Sequence, residues 1–66
     1  MKLCINDECR EVGTPANFLE LLDYLKLPAQ AVIIEHNGAA LRRDEWPGRA
    51  LCENDRLEII RIVAGG

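Results

Sequence analysis

Histidine occurs once in these 66 residues, and aromatic side chains only three times, as one Phe, one Tyr and one Trp. With a lone imidazole, no HxxxH pair, Walker loop or nucleophile elbow can be found in the chain, and no metal site is expected. No apolar run approaches the ~20 residues that a membrane-spanning helix needs, so a membrane partner is not expected. Basic residues cluster nowhere beyond Arg42-Arg43, and eight Lys and Arg stand against eleven Asp and Glu for a formal net charge of −3. Such a field mildly repels phosphates, which argues against a nucleic-acid partner. The three cysteines, Cys4, Cys9 and Cys52, are odd in number and contain no CxxC pair. They read as reduced thiols of a cytoplasmic protein rather than a disulfide framework or a zinc site. The opening Met1-Lys2-Leu3-Cys4-Ile5-Asn6 breaks off too early for a secretory signal. A chain this short covers one modest core but has little material for a roomy, walled active site. The expectation is one domain over residues 1–66 that acts as a carrier or binding module and not as an enzyme.

What is present is a clear succession of elements. Met1, Leu3 and Ile5 alternate with Lys2, Cys4 and Asn6, the period of a half-buried strand. Asn6-Asp7-Glu8 is a turn, and Cys9 to Val12 returns as a second strand. Arg10 falls on the face of Val12, a misfit that suits only a strand edge or a bulge. Phe18, Leu21, Leu22 and Leu25 form the stripe of an amphipathic helix of about three turns. Asn17 and Glu20 supply a variant capping box at its start, and Pro28 is expected to stop it. Ala31 to His36 is β-rich and runs into Asn37-Gly38, a strong hairpin signal, with Ala39-Ala40-Leu41 as a brief return strand. A loop around Trp46 follows, with Trp46 as its packing anchor. Glu53-Asn54-Asp55 turns the chain into a last strand over Arg56 to Val63. His36, in phase with Val32 and Ile34, reads as a partly buried, hydrogen-bonded core residue. The order predicts an α+β fold. One helix packs on one face of a mixed sheet of four to five strands whose first and last members run parallel, the β-grasp arrangement of ubiquitin.

Beyond the last strand stand Ala64, Gly65 and Gly66, expected to form a flexible tail over 63–66. Two glycines can thread a channel in which any Cβ would collide. A carboxylate on Gly66, once activated, would be an electrophile with no side chain to shield it.

These features together resemble the thiamine-biosynthesis sulfur carrier family, ThiS, over essentially the full length. The resemblance rests on Met1-Lys2-Leu3 through Asn6-Asp7 with Arg10-Glu11-Val12, on Asn17-Phe18-Leu19-Glu20-Leu21-Leu22, and on Asn37-Gly38 followed by Arg43-Asp44-Glu45-Trp46. It extends through Asn54-Asp55-Arg56-Leu57-Glu58-Ile59-Ile60 to Ile62-Val63-Ala64-Gly65-Gly66. His36 stands where the family usually carries an aliphatic residue. The resemblance implies that Gly66 is the adenylation and thiocarboxylate site, with Gly65 and Ala64 as the tail leading to it. A partner adenylyltransferase, ThiF-like and related to the ubiquitin-activating enzymes, would use ATP and Mg²⁺; the chain itself would bind no cofactor. A cysteine desulfurase or sulfurtransferase would donate the sulfur, and a ThiG-like thiazole synthase would receive it. A molybdopterin-synthase sulfur carrier and a ubiquitin-like protein modifier are the alternatives. Without a partner, the chain is expected to be a monomer.

A carrier needs a surface by which its partners hold it. Alternation along the last strand puts Leu57 and Ile59 under the helix and Glu58, Ile60 and Ile62 on the other side. The third strand would then present Ile33 and Glu35 to the same side. A patch of Ile33, Ile60 and Ile62, rimmed by Glu35, Glu58 and Arg61, is the expected docking surface, because apolar patches with polar rims mark interfaces.

Overall fold

Lys2–Ile5 (β1) and Glu8–Glu11 (β2) form an antiparallel hairpin in the computed structural model of the protein, which describes residues 1–62. The helix Phe18–Leu25 (α1) follows, then Val32–His36 (β3), Ala39–Leu41 (β4) and Arg56–Arg61 (β5). Single 3₁₀ turns occupy Ala29–Ala31 and Arg43–Glu45. The five strands make one mixed sheet in the order β2-β1-β5-β3-β4, with β1 and β5 parallel and the other pairs antiparallel. This is the expected β-grasp, with the larger of the two strand numbers. Leu3, Val32, Ile34, Leu41, Leu57 and Ile59 from the sheet meet Phe18, Leu21 and Leu22 of α1 in one core, completed by Val12 and Trp46.

Turn chemistry sets both hairpins. Asn6 and Asp7 have φ of 51° and 67°, and Asn37 and Gly38 have 49° and 89°. Two successive positive φ angles match the right-handed twist of the flanking strands, and Asn, Asp and Gly adopt them at least cost. Arg10 pairs with Leu3 on β2, an edge strand whose four residues are all exposed, which accounts for a cation on the core-side face.

The helix is shorter than its apolar stripe suggests. Asn17 caps it, its Oδ1 accepting the Glu20 N–H at 3.0 Å, while Glu20 Oε1 accepts the Ala16 N–H at 2.9 Å. Eight residues give just over two turns, not three. Lys26, in the left-handed region at φ 59°, ends the helix, and the Leu27 N–H returns to the Leu22 carbonyl at 2.9 Å. Termination therefore comes from this cap, two residues ahead of Pro28.

Trp46 is buried, with the Arg43 guanidinium 5.3 Å from its ring centroid. Arg43 also donates to the Ala29 carbonyl, tying the loop to the 3₁₀ turn that precedes β3. Trp46 thus anchors its loop as expected.

The cysteines differ from the sequence reading. Cys4 and Cys9 are joined in a disulfide, and Cys52 alone is free. The two-residue Asn6-Asp7 turn sets the register in which Cys4 faces Cys9 directly across the hairpin. An odd cysteine count carries no information about such a register.

Asn6 does more than make the turn. Its Oδ1 accepts the Ile59 N–H at 2.8 Å and its Nδ2 donates to the Ile59 carbonyl at 3.0 Å. The side-chain amide therefore acts as an extra peptide unit and lengthens the β1–β5 pairing beyond the end of β1. Asn6→Gly keeps the positive φ but removes both bonds. It is expected to lower stability by about 1–3 kcal/mol in urea denaturation, the cost of orphaning partly buried backbone groups.

Candidate partner-docking face

Only one side of the sheet is covered by the helix. Along β3, Val32, Ile34 and His36 point into the core while Ile33 and Glu35 point away; along β5, Leu57 and Ile59 point in while Glu58 and Ile60 point away. The antiparallel register sets Ile33 opposite Ile60 and Glu35 opposite Glu58. The open face therefore carries two exposed isoleucines side by side, Ile33 at 46% and Ile60 at 51% exposure, next to two directly opposed carboxylates. Ile62, one residue beyond β5, is 45% exposed, and its N–H bonds the Ala31 carbonyl at 2.7 Å. That bond extends the β3–β5 ladder to the last described residue, so the apolar patch lies where the chain leaves the sheet.

Five of the six expected surface residues are thus brought together. Arg61 is not among them. It pairs with Val32, stands on the helix side of the sheet and lines a cleft with Leu25, Leu27 and Ile59. Period-2 alternation puts it one residue out of phase with Ile60 and Ile62, so it cannot rim their patch. The tail residues Ala64, Gly65 and Gly66, together with Val63, lie outside the described residues.

The electrostatics of the face are uneven. Carboxylates directly opposed across a ladder repel each other, and Glu35 and Glu58 show no ion-pair partner among the described residues. A cationic side chain from a docked protein would relieve that repulsion. Arg56, beyond Glu58 on the same face, lies 3.8 Å from Asp7 and lines a shallow groove with Cys4, Glu35 and Glu58.

Behind this end of the sheet is a buried polar cluster. His36 is 7% exposed and packs edge-on against Phe18, with ring centroids 5.2 Å apart. Arg49 Nε donates to His36 Nδ1 at 3.2 Å, which leaves Nε2–H to donate to Asp55 Oδ2 at 2.7 Å. Asp55 also accepts the Cys52 N–H at 2.8 Å and the Asn37 Nδ2 at 3.1 Å. Both ring nitrogens are satisfied, as expected of a core histidine, and the cluster joins the Asn37-Gly38 and Glu53-Asn54-Asp55 turns.

Burial pushes the Asp55 carboxyl up, but its hydrogen bonds from His36, Cys52 and Asn37 together outweigh burial and hold it below the ordinary 3.8. A depressed native pKa stabilises the fold above the unfolded value and loses that effect as pH falls through the native one. In urea denaturation at stepped pH, the stability gap between the natural chain and Asp55→Asn is expected to narrow below pH 3.8.

Comparison with known proteins agrees with this geometry. The profile of the ThiS family matches residues 3–66. The chain is similar to an uncharacterized protein of Trieres chinensis, ycf40, at 30% identity over 50 residues, which is 76% of this chain and 68% of that protein. It is also similar to the crystal structure of thiamine biosynthesis protein ThiS from Geobacter metallireducens. That match has a TM-score of 0.84 and 32% identity and covers 100% of both chains. With the family profile spanning nearly every residue and the whole fold superposing on a solved member, the chain belongs to the ThiS family, the small β-grasp sulfur carriers of thiamine biosynthesis.

Proposed function

We propose that the chain carries sulfur as a thiocarboxylate on Gly66 and delivers it for closure of the thiazole ring of thiamine. The observation that carries this reading is the extent of the family match, which runs through to Gly66 and includes the Gly65-Gly66 pair. An adenylyltransferase with ATP and Mg²⁺ converts the Gly66 carboxylate to an acyl-adenylate and releases pyrophosphate. AMP is a good leaving group, so a persulfide from a cysteine desulfurase or sulfurtransferase displaces it. A thiol then cleaves the sulfur–sulfur bond to the donor and leaves the thiocarboxylate. Thiazole synthase receives the sulfur. A protein-bound sulfide is held at high effective concentration where it reacts, and the carrier needs no general base of its own.

The open face supports this reading from the side of recognition. Ile33, Ile60 and Ile62 offer apolar contact beside the exit of the tail, and Glu35 and Glu58 favour a partner that brings a cation. Ile60→Lys is expected to weaken docking on the adenylyltransferase at least about tenfold, while stability shifts by less than about 0.5 kcal/mol because the residue is exposed. Titration calorimetry and urea denaturation read the two effects separately.

The decisive experiment incubates the chain with ATP, Mg²⁺, the adenylyltransferase and a persulfide donor, then maps the C-terminal peptide by accurate-mass fragmentation. Sulfur in place of oxygen at Gly66 is the expected result. A Gly66 carboxylate that stays unmodified would overturn the proposal, and isopeptide-linked products would point to a protein modifier. Peptide mapping is required because thiol or methionine oxidation adds nearly the same nominal mass.

A further inference from the structure

We propose that the Cys4–Cys9 disulfide is a redox site that exchanges with protein dithiols while the domain stays folded, and that its opening loosens the edge strand β2. The first observation is accessibility. Cys9 lies on an edge strand whose four residues are all exposed, and its register with Cys4 puts the pair on the side of the sheet that the helix leaves open. Exposed disulfides are the exchangeable ones, whereas structural disulfides are shielded from attack.

The second observation is that the fold has little need of the bond. It joins residues only five apart in sequence, and so short a loop restricts the unfolded chain least. Independent contacts hold β1 in place. Leu3 is fully buried, and the Cys4 and Asn6 N–H groups bond the carbonyls of Asp55 and Leu57, each at 2.9 Å. Strand β2 has no comparable support, because none of its side chains enters the core. With the disulfide open, it is held to β1 by backbone hydrogen bonds and, at its far end only, by the exposed ion pair of Glu11 with the Met1 amino group and the buried Val12 that follows.

The surroundings suit one direction of attack. Cys4 is partly buried, stands in register with Arg56 and shares a groove with it. A thiolate of an incoming dithiol attacks the exposed Cys9 Sγ and forms a mixed disulfide. The electron pair of the broken bond leaves on Cys4 Sγ, which then takes a proton. The second thiol of the reductant then attacks the mixed disulfide, releases Cys9 and leaves as a disulfide. Two electrons pass to the carrier, and the dithiol is oxidised.

The test uses the full chain carrying Cys52→Ser, which removes the free thiol and leaves the Cys52 backbone bond to Asp55 in place. After incubation with oxidised glutathione or dithiothreitol, thiols are counted by alkylation and mass spectrometry, and amide hydrogen exchange is measured on both forms. The expected result is a single two-electron transition in native buffer. Exchange over residues 8–11 should become roughly tenfold faster or more on reduction, while Leu3 and the helix keep their protection. The double variant Cys4→Ser, Cys9→Ser should fold and exchange like the reduced chain. Two alkylatable thiols after oxidation, a bond that dithiothreitol opens only in denaturant, unchanged exchange over 8–11, or a double variant that fails to fold would each overturn the proposal.

Discussion

Deletion of Gly66 is expected to reduce thiocarboxylate formation at least about 100-fold, while the unfolding midpoint stays where it is. The deletion leaves a terminal carboxylate on Gly65, so the chemical group survives but its reach shortens by one residue, roughly 3.3–3.6 Å. A partner that holds the body of the carrier by a fixed face presents its nucleotide and its sulfur at a fixed distance from that face. A displacement of about 1 Å at a reacting centre can already cost about 100-fold. Gly65→Ile addresses the other half of the argument. It keeps the length of the chain but adds a branched side chain that would collide in a channel narrow enough to admit only backbone, and a loss of similar size is expected. Residue 66 has no side chain to withdraw from the core, so stability should change by no more than about 0.5 kcal/mol in either direction. Quantifying the thiocarboxylate peptide against time, alongside urea denaturation, separates lost reach from lost fold. Full thiocarboxylate formation on the shortened chain would remove Gly66 from the mechanism.

Phe18→Ala has the opposite character, a large loss of stability with no chemical group removed. Phe18 is fully buried at the first position of α1 and meets the edge of the His36 ring. Truncating a buried phenylalanine costs about 3–5 kcal/mol, from lost transfer energy and the cavity left behind. A domain of this size seldom has more than about 3–5 kcal/mol from its core, so the variant should be substantially unfolded at 25 °C. The contrast with Ile33→Ala is informative. Ile33 belongs to the same sheet but lies on its open face, and its truncation should cost well under 1 kcal/mol. Trp46 is the single tryptophan and is buried, so its fluorescence in a urea titration reports both variants. Equal midpoints for Phe18→Ala and Ile33→Ala would contradict the assignment of the two sheet faces.

Much of the docking face was legible because β-strands alternate strictly. Once β3 and β5 were placed, Ile33, Glu35, Glu58 and Ile60 had to share a side. The same rule excludes Arg61, whose odd phase sends it to the helix side beside Val32. The helix was legible from Phe18, Leu21, Leu22 and Leu25, but its length was not. An apolar stripe says which face is buried, while the end of the helix depends on the conformation of Lys26, a residue with no special preference for the left-handed region. The hydrogen bonds of the Asn6 amide to Ile59 were out of reach for a related reason, since they join residues 53 apart in the chain.

Local period and local chemistry alone specify the strands, the amphipathic helix and the two Asn-led hairpin turns. Those properties are written within a few neighbouring residues, and each is set by backbone sterics or by the period of burial. Tertiary structure alone decided which groups meet across strands. The closure of the β1–β5 pair by Asn6, the clasp of His36 by Asp55 and Arg49, and the opposition of Glu35 and Glu58 all belong to this class. Each depends on strand register, and register is settled only when the whole sheet pairs and buries one face against the helix.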